Sequence, residues 1–429
     1  MKCIQCETDN NLKDRTANQG RCKNCAHRFV FEPTAMGRLK ITDPMFAKAI
    51  ADISLNNTLF FTPKQLFYLL DNRLRKKSFN IVGLGCLYIF FSVWATGFIG
   101  GILSSVIGNN SFIIVLILYN LFCIFYLLNQ ANSSENNIKV RQNSARLLIL
   151  LGIVIISGGI LIRVSTINSF IFTIAAGMGL LSIYSGTTQL NKTDLKQEFL
   201  LDRDEFQQWF NRWQEINGSI EKLLPTPQQT SQSATIDSDI TAYSFDRLIV
   251  CDRAKIAQIL IANNFHFENN CAILSVTGYP QSIFEIVMEM VRRNQDIQVY
   301  ALHDCSPRGI GLADRLRNSP QWFANTDTVI IDIGLTPRQI MATKQEMFVQ
   351  STPDSAQSAK ELTSEIRQGL TSQEIEWLEL GNFVELESFT PKRLIQVLNQ
   401  CILRGDNFTD DNLMMNDTRN DMYLNQSFG

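Results

Sequence analysis

The chain has 429 residues, of which 45% are hydrophobic and 19% are charged, and its formal net charge is −2. The length allows two or three domains. The weak net charge excludes nucleic-acid binding through the overall field of the protein, so any such contact must be local. Ten cysteines divide into a cluster of four near the amino terminus and six scattered ones, a pattern typical of metal binding in a reducing compartment.

The first segment, residues 1–35, contains two paired-cysteine motifs, CIQC and CKNC. Each pair can bring two thiolates to one ion from a tight turn, and two pairs complete a tetrahedral site. The motifs therefore predict a structural zinc ribbon, with no open position for water at the metal. His27 is an alternative ligand, although a surface position beside the second pair is the simpler interpretation. The predicted zinc ligands are Cys3, Cys6, Cys22 and Cys25.

Basic and aromatic side chains in the same segment offer a candidate nucleic-acid face. Three acidic residues lie among them, which favours an ordinary solvated surface. The basic and aromatic set is Lys13, Arg15, Arg21, Lys23, Arg28, Phe29 and Phe31, and the acidic set is Glu7, Asp9 and Asp14.

Residues 36–78 predict a pair of helices, PMFAKAIADISLNN and PKQLFYLLDNRLRKK. Thr62 is in position to cap the second helix, and Pro63 suits its first turn.

Residues 79–186 contain only five charged side chains. Four apolar segments, at about 81–107, 112–128, 147–164 and 167–184, each approach the roughly 20 residues that cross a bilayer. This predicts four transmembrane helices. Lysine and arginine concentrate before the first segment, between the second and third, and after the fourth. The positive-inside rule then places both termini in the cytoplasm, in a bacterial-type inner membrane or a thylakoid membrane.

Residues 187–224 are amphipathic and predict a helix that lies either on the membrane surface or against the next domain. Residues 225–240 have the composition of a linker, and residues 404–429 that of a disordered tail.

Within a predicted domain of residues 241–403, residues 247–333 alternate short β-branched runs with helical periodicity, as in RLIVC, CAILSVTG, IQVYALHD and TVIIDIG. Such alternation predicts an α/β domain with a parallel sheet. Ligands of such sheets bind at the carboxyl ends of the strands. Asp252, Gly278 and Asp304 follow three of the predicted strands there.

The motifs IVCDRAKI, SVTGYPQ and LHDCSPRGI resemble, in order and spacing, the Toprim domain of the type IIB topoisomerase A subunit and the related meiotic double-strand-break protein. The resemblance implies that Asp252 stands at the position of the general acid/base glutamate, Asp304 at the first metal aspartate, and Ser306 at the second. Gly278, Pro307 and Gly309 match the turns of that cofactor-binding motif. Because Ser306 lacks a carboxylate, the magnesium site is expected to be degenerate. Asp332 is a distant carboxylate that could compensate.

The same family carries a nucleophilic tyrosine in a winged-helix module, and TPKQLFYLLDNR would place Tyr68 there. The alternative is an amphipathic helix that buries Phe67 and Tyr68. His303 is expected to pack rather than to act in catalysis.

The sequence thus predicts a multi-domain membrane protein with a zinc ribbon, four transmembrane helices and a Toprim-like parallel-sheet domain. A non-catalytic interaction or scaffold role is favoured, with the bilayer, an unknown protein and local nucleic acid as candidate partners. One alternative is a magnesium-dependent enzyme that cleaves phosphodiesters through Asp252 and Asp304. Another is a small channel or transporter, disfavoured because the spans lack Asp, Glu, Lys and His.

Overall fold

The structure, a computed structural model, describes residues 1–75, 81–108, 111–133, 136, 138–166, 169–191, 199–227, 245–294, 296–324, 326, 328–342 and 347–403. The chain forms two compact units. One consists of Met1–Leu74 together with Phe199–Gly429, and the other of Arg75–Glu198. The predicted tail and most of the predicted linker lie outside the described residues.

The amino-terminal segment folds around two similar turns, each closed by an antiparallel bridge, Lys2 with Asp9 and Arg21 with Arg28. Between them lies the short helix α1, Leu12–Ala17. The Asn11 side chain accepts from the Asp14 amide and the Asn11 amide donates to the Asp14 carboxylate, which forms a reciprocal capping box at the start of α1.

Three helices then share one core within the first unit: α2 (Asp43–Ile53), α3 (Pro63–Leu74) and α8 (Arg203–Asn217). Thr62 caps α3 as predicted, since its hydroxyl accepts a hydrogen bond from the Gln65 amide at 3.2 Å. Helix α8 is amphipathic, as predicted, and Arg203 at its start donates to Gln350 of the following domain at 3.2 Å. Its apolar face packs on α2, α3 and the segment before them; that face consists of Phe206, Trp209, Phe210 and Trp213.

The second unit contains four long apolar helices: α4 (Ile81–Ile107), α5 (Ser111–Asn132), α6 (Ile138–Thr166) and α7 (Ser169–Asn191). All four are long and apolar enough to cross a membrane. Helix α6 begins at Ile138, nine residues before the predicted apolar segment 147–164. A helix can continue through the polar residues that flank an apolar segment.

Helices α6 and α7 approach closely at glycines. A methyl group at Gly152 would lie 2.6 Å from the Gly179 carbonyl oxygen, and one at Gly179 would lie 2.8 Å from the Gly152 carbonyl oxygen. Small residues permit this backbone contact, which is the usual basis of tight packing between helices in lipid.

The α/β domain contains a four-stranded parallel sheet of β1 (Arg247–Cys251), β2 (Cys271–Ser275), β3 (Gln298–Leu302) and β4 (Ile330–Asp332), in the order β2-β1-β3-β4. The helices between and after these strands are α9 (Ala254–Ala262), α10 (Phe265–Glu268), α11 (Gln281–Arg293), α12 (Pro307–Ile310), α13 (Leu312–Asn318) and α14 (Pro337–Ala342). The predicted parallel sheet is confirmed, with every strand inside the segment that predicted it.

The rest of the domain is mainly helical. Strand β5 (Gln350–Ser351) pairs with β6 (Asn382–Phe383) in a two-stranded antiparallel sheet. Between these strands in sequence lie α15 (Pro353–Lys360), α16 (Ser364–Gln368) and α17 (Ser372–Glu379). A 3₁₀ turn, Leu386–Ser388, and α18 (Pro391–Leu403) end the described chain.

Candidate functional site

The four predicted zinc ligands lie together. Their sulfur atoms are all within 4.8 Å of one another, and the distance from Cys3 Sγ to Cys25 Sγ, like that from Cys6 Sγ to Cys22 Sγ, is 3.6 Å. A disulfide would need about 2.05 Å. Four sulfurs about 2.3 Å from a tetrahedral zinc would be separated by about 3.8 Å, close to the observed spacing. The donor set therefore fits a closed four-thiolate zinc site.

The backbone conformation of each turn directs both thiols of a cysteine pair toward one point. The residue after the second cysteine of each pair has left-handed backbone dihedrals, with φ of 55° at Glu7 and 58° at Ala26. The Glu7 amide donates to the Cys3 carbonyl, and the Ala26 amide donates to the Cys22 carbonyl. The Asn10 side-chain amide also donates to Cys22 Sγ at 3.4 Å. Such donors stabilise a thiolate, as partners of metal ligands do.

The candidate nucleic-acid face of this segment is partly neutralised. Arg15 forms a two-point contact with Glu32, at 2.8 and 2.9 Å, and Lys23 lies 2.9 Å from Asp14. Ion pairs within the protein reduce the positive charge available to phosphates.

The second candidate site lies where the direction of strand order reverses. From β1 the chain passes to β2 on one side and then to β3 on the other, so the carboxyl ends of β1 and β3 form the crevice in which such sheets bind ligands. Asp252 follows β1 and Asp304 lies two residues beyond β3. The Asp304 amide donates to Asp252 Oδ2 at 2.9 Å, so the structure brings these two predicted residues together.

Asp304 is 1% exposed, and its two carboxylate oxygens differ: Oδ1 accepts a hydrogen bond, whereas Oδ2 is ion-paired without a hydrogen bond. Oδ1 accepts a hydrogen bond from the Leu386 amide at 2.6 Å, and Oδ2 lies 2.8 Å from Arg253 Nε. Among the described residues, the amino-terminal cysteines form the only group of three or more metal-ligating side chains with such close donor atoms. This arrangement does not support a magnesium site at Asp304.

The remaining residues of the motif have structural roles. Ser306 caps α12, its hydroxyl accepting from the Gly309 amide at 3.0 Å, and Pro307 occupies the first turn. A methyl group at Gly309 would lie 2.1 Å from the Asp304 carbonyl oxygen, so this position requires glycine. Gly278 has φ of 78° in the turn after β2. A cofactor-binding role of Gly278, Pro307 and Gly309 stays a prediction.

His303 is fully buried, consistent with the expectation that it packs. Its Nδ1 lies 2.8 Å from the Asp304 carbonyl oxygen and its Nε2 lies 2.9 Å from Asp332 Oδ1. Because both neighbours are acceptors, the doubly protonated ring satisfies both contacts. Burial alone lowers the pKa of His303, but Asp332 outweighs burial and raises it to about 9. Asp332 therefore pairs with His303 and does not replace the carboxylate missing at Ser306.

Glu385 connects this crevice to helix α3. Its carboxylate accepts from the Tyr68 hydroxyl at 2.6 Å, lies 2.6 Å from Lys64 Nζ and lies 2.8 Å from Arg253 Nη1. Tyr68 is buried, as the amphipathic alternative required, yet its hydroxyl joins the network that contains Asp304. The sequence motifs assigned no role to Arg253, which directly follows Asp252, or to Glu385.

The charges in this network do not favour nucleophilic catalysis by Tyr68. Burial and the Glu385 carboxylate raise the pKa of the Tyr68 hydroxyl. Burial raises the pKa of Glu385, but Lys64 and Arg253 outweigh it and lower that pKa to about 2. A carboxylate with so low a pKa is a weak general base. Burial raises the pKa of both Asp252 and Asp304, which Arg253 opposes.

No protein-family model matches the chain, and the search of curated proteins finds no match. The resemblance to the Toprim family therefore rests on the three sequence motifs alone, and the parallel sheet is compatible with it.

Proposed function

We propose that this is an integral membrane protein that presents a zinc ribbon and a catalytically inactive Toprim-like domain on the cytoplasmic side, in an interaction or scaffold role. The observation that carries the proposal is the ion pair of Asp304 Oδ2 with Arg253, beside the hydrogen bond of Oδ1 with the Leu386 amide. A divalent cation would have to displace Arg253, and Ser306 adds no negative charge to compensate.

The contact of Asp71 with the chain after the fourth apolar helix supports an even number of membrane crossings. Asp71 Oδ1 accepts hydrogen bonds from the amides of Leu200 and Leu201, at 2.7 and 2.9 Å. The parts of the chain before and after the apolar segment are thus hydrogen-bonded to each other within the first unit. Four crossings satisfy this condition, and the distribution of lysine and arginine assigns that side to the cytoplasm.

The experiment is calorimetric titration of magnesium and manganese into the full chain in detergent, beside Asp304→Asn. We expect no saturable heat at millimolar metal in either protein. Saturable binding that Asp304→Asn abolishes would contradict the proposal. Nicking of supercoiled DNA, with Tyr68→Phe as control, tests the same point by activity.

The second candidate is a magnesium-dependent phosphodiester-cleaving enzyme. One observation favours it: Tyr68, at the position that the resemblance gives to a nucleophile, lies in the same hydrogen-bond network as Asp304 although 317 residues separate it from Glu385. Metal-dependent nicking lost in both Tyr68→Phe and Asp304→Asn would establish this function instead.

Binding of nucleic acid without cleavage is tested separately by fluorescence anisotropy with duplex DNA. A contact through the ribbon predicts affinity that falls with salt and weakens in Arg21→Glu or Arg28→Glu. Equal anisotropy in wild type and variants would direct the search to protein partners.

A further inference from the structure

The two turns of the zinc ribbon carry different charges at equivalent positions. In each turn, two residues face each other across an antiparallel bridge: Lys2 with Asp9 in the first turn, and Arg21 with Arg28 in the second. The first bridge joins opposite charges, and Asp9 also lies 3.0 Å from the amino-terminal nitrogen. The second bridge joins two arginines. The two turns therefore match in backbone pairing but not in charge.

The backbone brings the two arginine side chains close together. The Cys22 amide donates to the His27 carbonyl, and the Phe29 amide donates to the Gly20 carbonyl. The two arginines lie between these bonds and form a non-hydrogen-bonded pair, in which Cα atoms are about 4.5 Å apart and the side chains are closest. Like charges directly opposite each other are destabilising. The second turn therefore contains an unfavourable interaction that the first turn lacks.

No acidic side chain in the described part of the chain relieves this repulsion. Arg21 and Arg28 are both exposed, and neither forms an ion pair with a described residue. Arg21 donates to the Ala26 carbonyl at 3.3 Å, which uses one of its five N–H groups. The neighbouring Lys23, in contrast, is neutralised by Asp14 at 2.9 Å. Two unneutralised guanidinium groups thus lie side by side on the surface of the ribbon.

We propose that Arg21 and Arg28 together bind the phosphate group of a phosphomonoester. Guanidinium groups bind phosphate oxygens through paired N–H donors, and an arrangement that breaks a local rule of stability is typical of a functional site. A bound anion between the two arginines would turn their repulsion into attraction.

Charge favours a monoester over a nucleic acid. A phosphomonoester carries a charge of about −1.5 to −2 at neutral pH, which balances two guanidinium groups. Each phosphate of a nucleic-acid backbone carries a single negative charge. The site gives the ribbon a partner chemistry, so it rests on the proposed interaction role, which the metal titration at Asp304 tests independently.

The first test is calorimetric titration of inorganic phosphate into the zinc-loaded full chain in detergent, at constant ionic strength. We expect saturable binding that weakens by about tenfold or more in Arg21→Gln and in Arg28→Gln, since each variant loses charged donors. Lys13→Gln removes the same charge at an exposed position on α1 and should bind as wild type does. Absence of binding in wild type, or undiminished binding in both arginine variants, would overturn the proposal.

The second test identifies the source of the phosphate group. A phosphoserine peptide and duplex DNA are titrated beside inorganic phosphate. Tighter binding of the peptide than of inorganic phosphate would support a monoester on a partner protein, and equal affinity would support a small phosphorylated molecule. Duplex DNA that binds through the two arginines more tightly than either monoester probe would overturn the assignment of a monoester.

The third test measures the repulsion itself. Arg28→Asp restores the opposite charges of the first turn, so without phosphate this variant should lose zinc to a chelator about two- to fivefold more slowly than wild type. Phosphate should slow zinc loss in wild type and not in Arg28→Asp. Zinc loss from Arg28→Asp at the wild-type rate or faster would show that the two arginines do not repel each other, against the proposal.

Discussion

The Tyr68 hydroxyl donates a 2.6 Å hydrogen bond to Glu385, joining the helix that precedes the apolar segment to the last third of the chain. Gln350 completes the contact, since its side-chain amide donates to the Tyr68 oxygen at 2.7 Å. The tyrosine is thus a donor to one partner and an acceptor from another. The buried Tyr68 hydroxyl therefore both donates and accepts a hydrogen bond, as a structural hydroxyl does.

Loss of one ribbon cysteine should remove the metal. Cys22→Ser replaces a thiolate with a hydroxyl, which is a poor zinc ligand, so we expect a single zinc ion in the wild-type chain and none in the variant. Metal analysis of the purified protein measures this. Cys123→Ser, in the apolar helix α5, is the control and should retain zinc. Full zinc content in Cys22→Ser would contradict the four-thiolate site.

Gly309→Ala should destabilise the α/β domain. The added methyl group would lie 2.1 Å from the Asp304 carbonyl oxygen, and relief of such a clash typically costs about 1–3 kcal/mol. Gly311→Ala is the matched control, because its nearest neighbour would be Ile366 Cδ1 at 3.4 Å. Denaturant unfolding of both variants makes the comparison. Equal loss of stability in the two would show that the approach at Gly309 is unimportant.

The contact of His303 with Asp332 predicts a loss of stability at alkaline pH. The pKa of His303 is raised from 6.5 to about 9 in the folded chain, so the folded state binds this proton more tightly than the unfolded state. The resulting stabilisation is complete below about pH 6.5 and is lost as the pH rises through about 9, by no more than about 3 kcal/mol.

Urea unfolding between pH 6 and pH 10 measures this dependence. Asp332→Asn removes the carboxylate that raises the pKa, so its stability should vary less across the same range. A wild-type profile that matches the Asp332→Asn profile would refute the assignment.

Gly152→Ala should weaken the contact between α6 and α7. Its methyl group would lie 2.6 Å from the Gly179 carbonyl oxygen, whereas Gly158 has no neighbour within 4 Å of the corresponding position. We expect Gly152→Ala to lower the melting temperature in detergent, with a cost of about 1–3 kcal/mol, and Gly158→Ala to leave it unchanged. A similar melting temperature for both variants would contradict close packing at Gly152.

The sequence predicted the local features of this fold well and its long-range contacts poorly. Periodicity and β-branched runs predicted the four parallel strands, and the tendency of ligands to bind at strand carboxyl ends predicted that Asp252 and Asp304 share one edge of the sheet. The cysteine spacing likewise predicted the cluster, because a tight turn fixes where each pair points.

Other contacts depend on information that a local pattern does not contain. The amphipathic stripe of α8 showed that Trp209 and Trp213 would be buried, but it could not identify α2 and α3 as the surface that buries them. Glu385 carries no motif, and its three charged or hydroxyl partners come from two distant segments. No sequence pattern therefore indicated that Arg253 forms an ion pair with Asp304, although Arg253 adjoins Asp252.

The core shared by α2, α3 and α8 has a consequence for biosynthesis. Its first two helices leave the ribosome before the apolar segment, and Trp209 and Trp213 follow only after that segment has been made. Until then α2 and α3 expose the surface that α8 later covers. Domains generally fold as units during synthesis, so this one must remain incomplete while the four apolar helices are made. Synthesis of the apolar segment thus comes before the last step of folding, and a chain that stops within that segment would keep α2 and α3 uncovered.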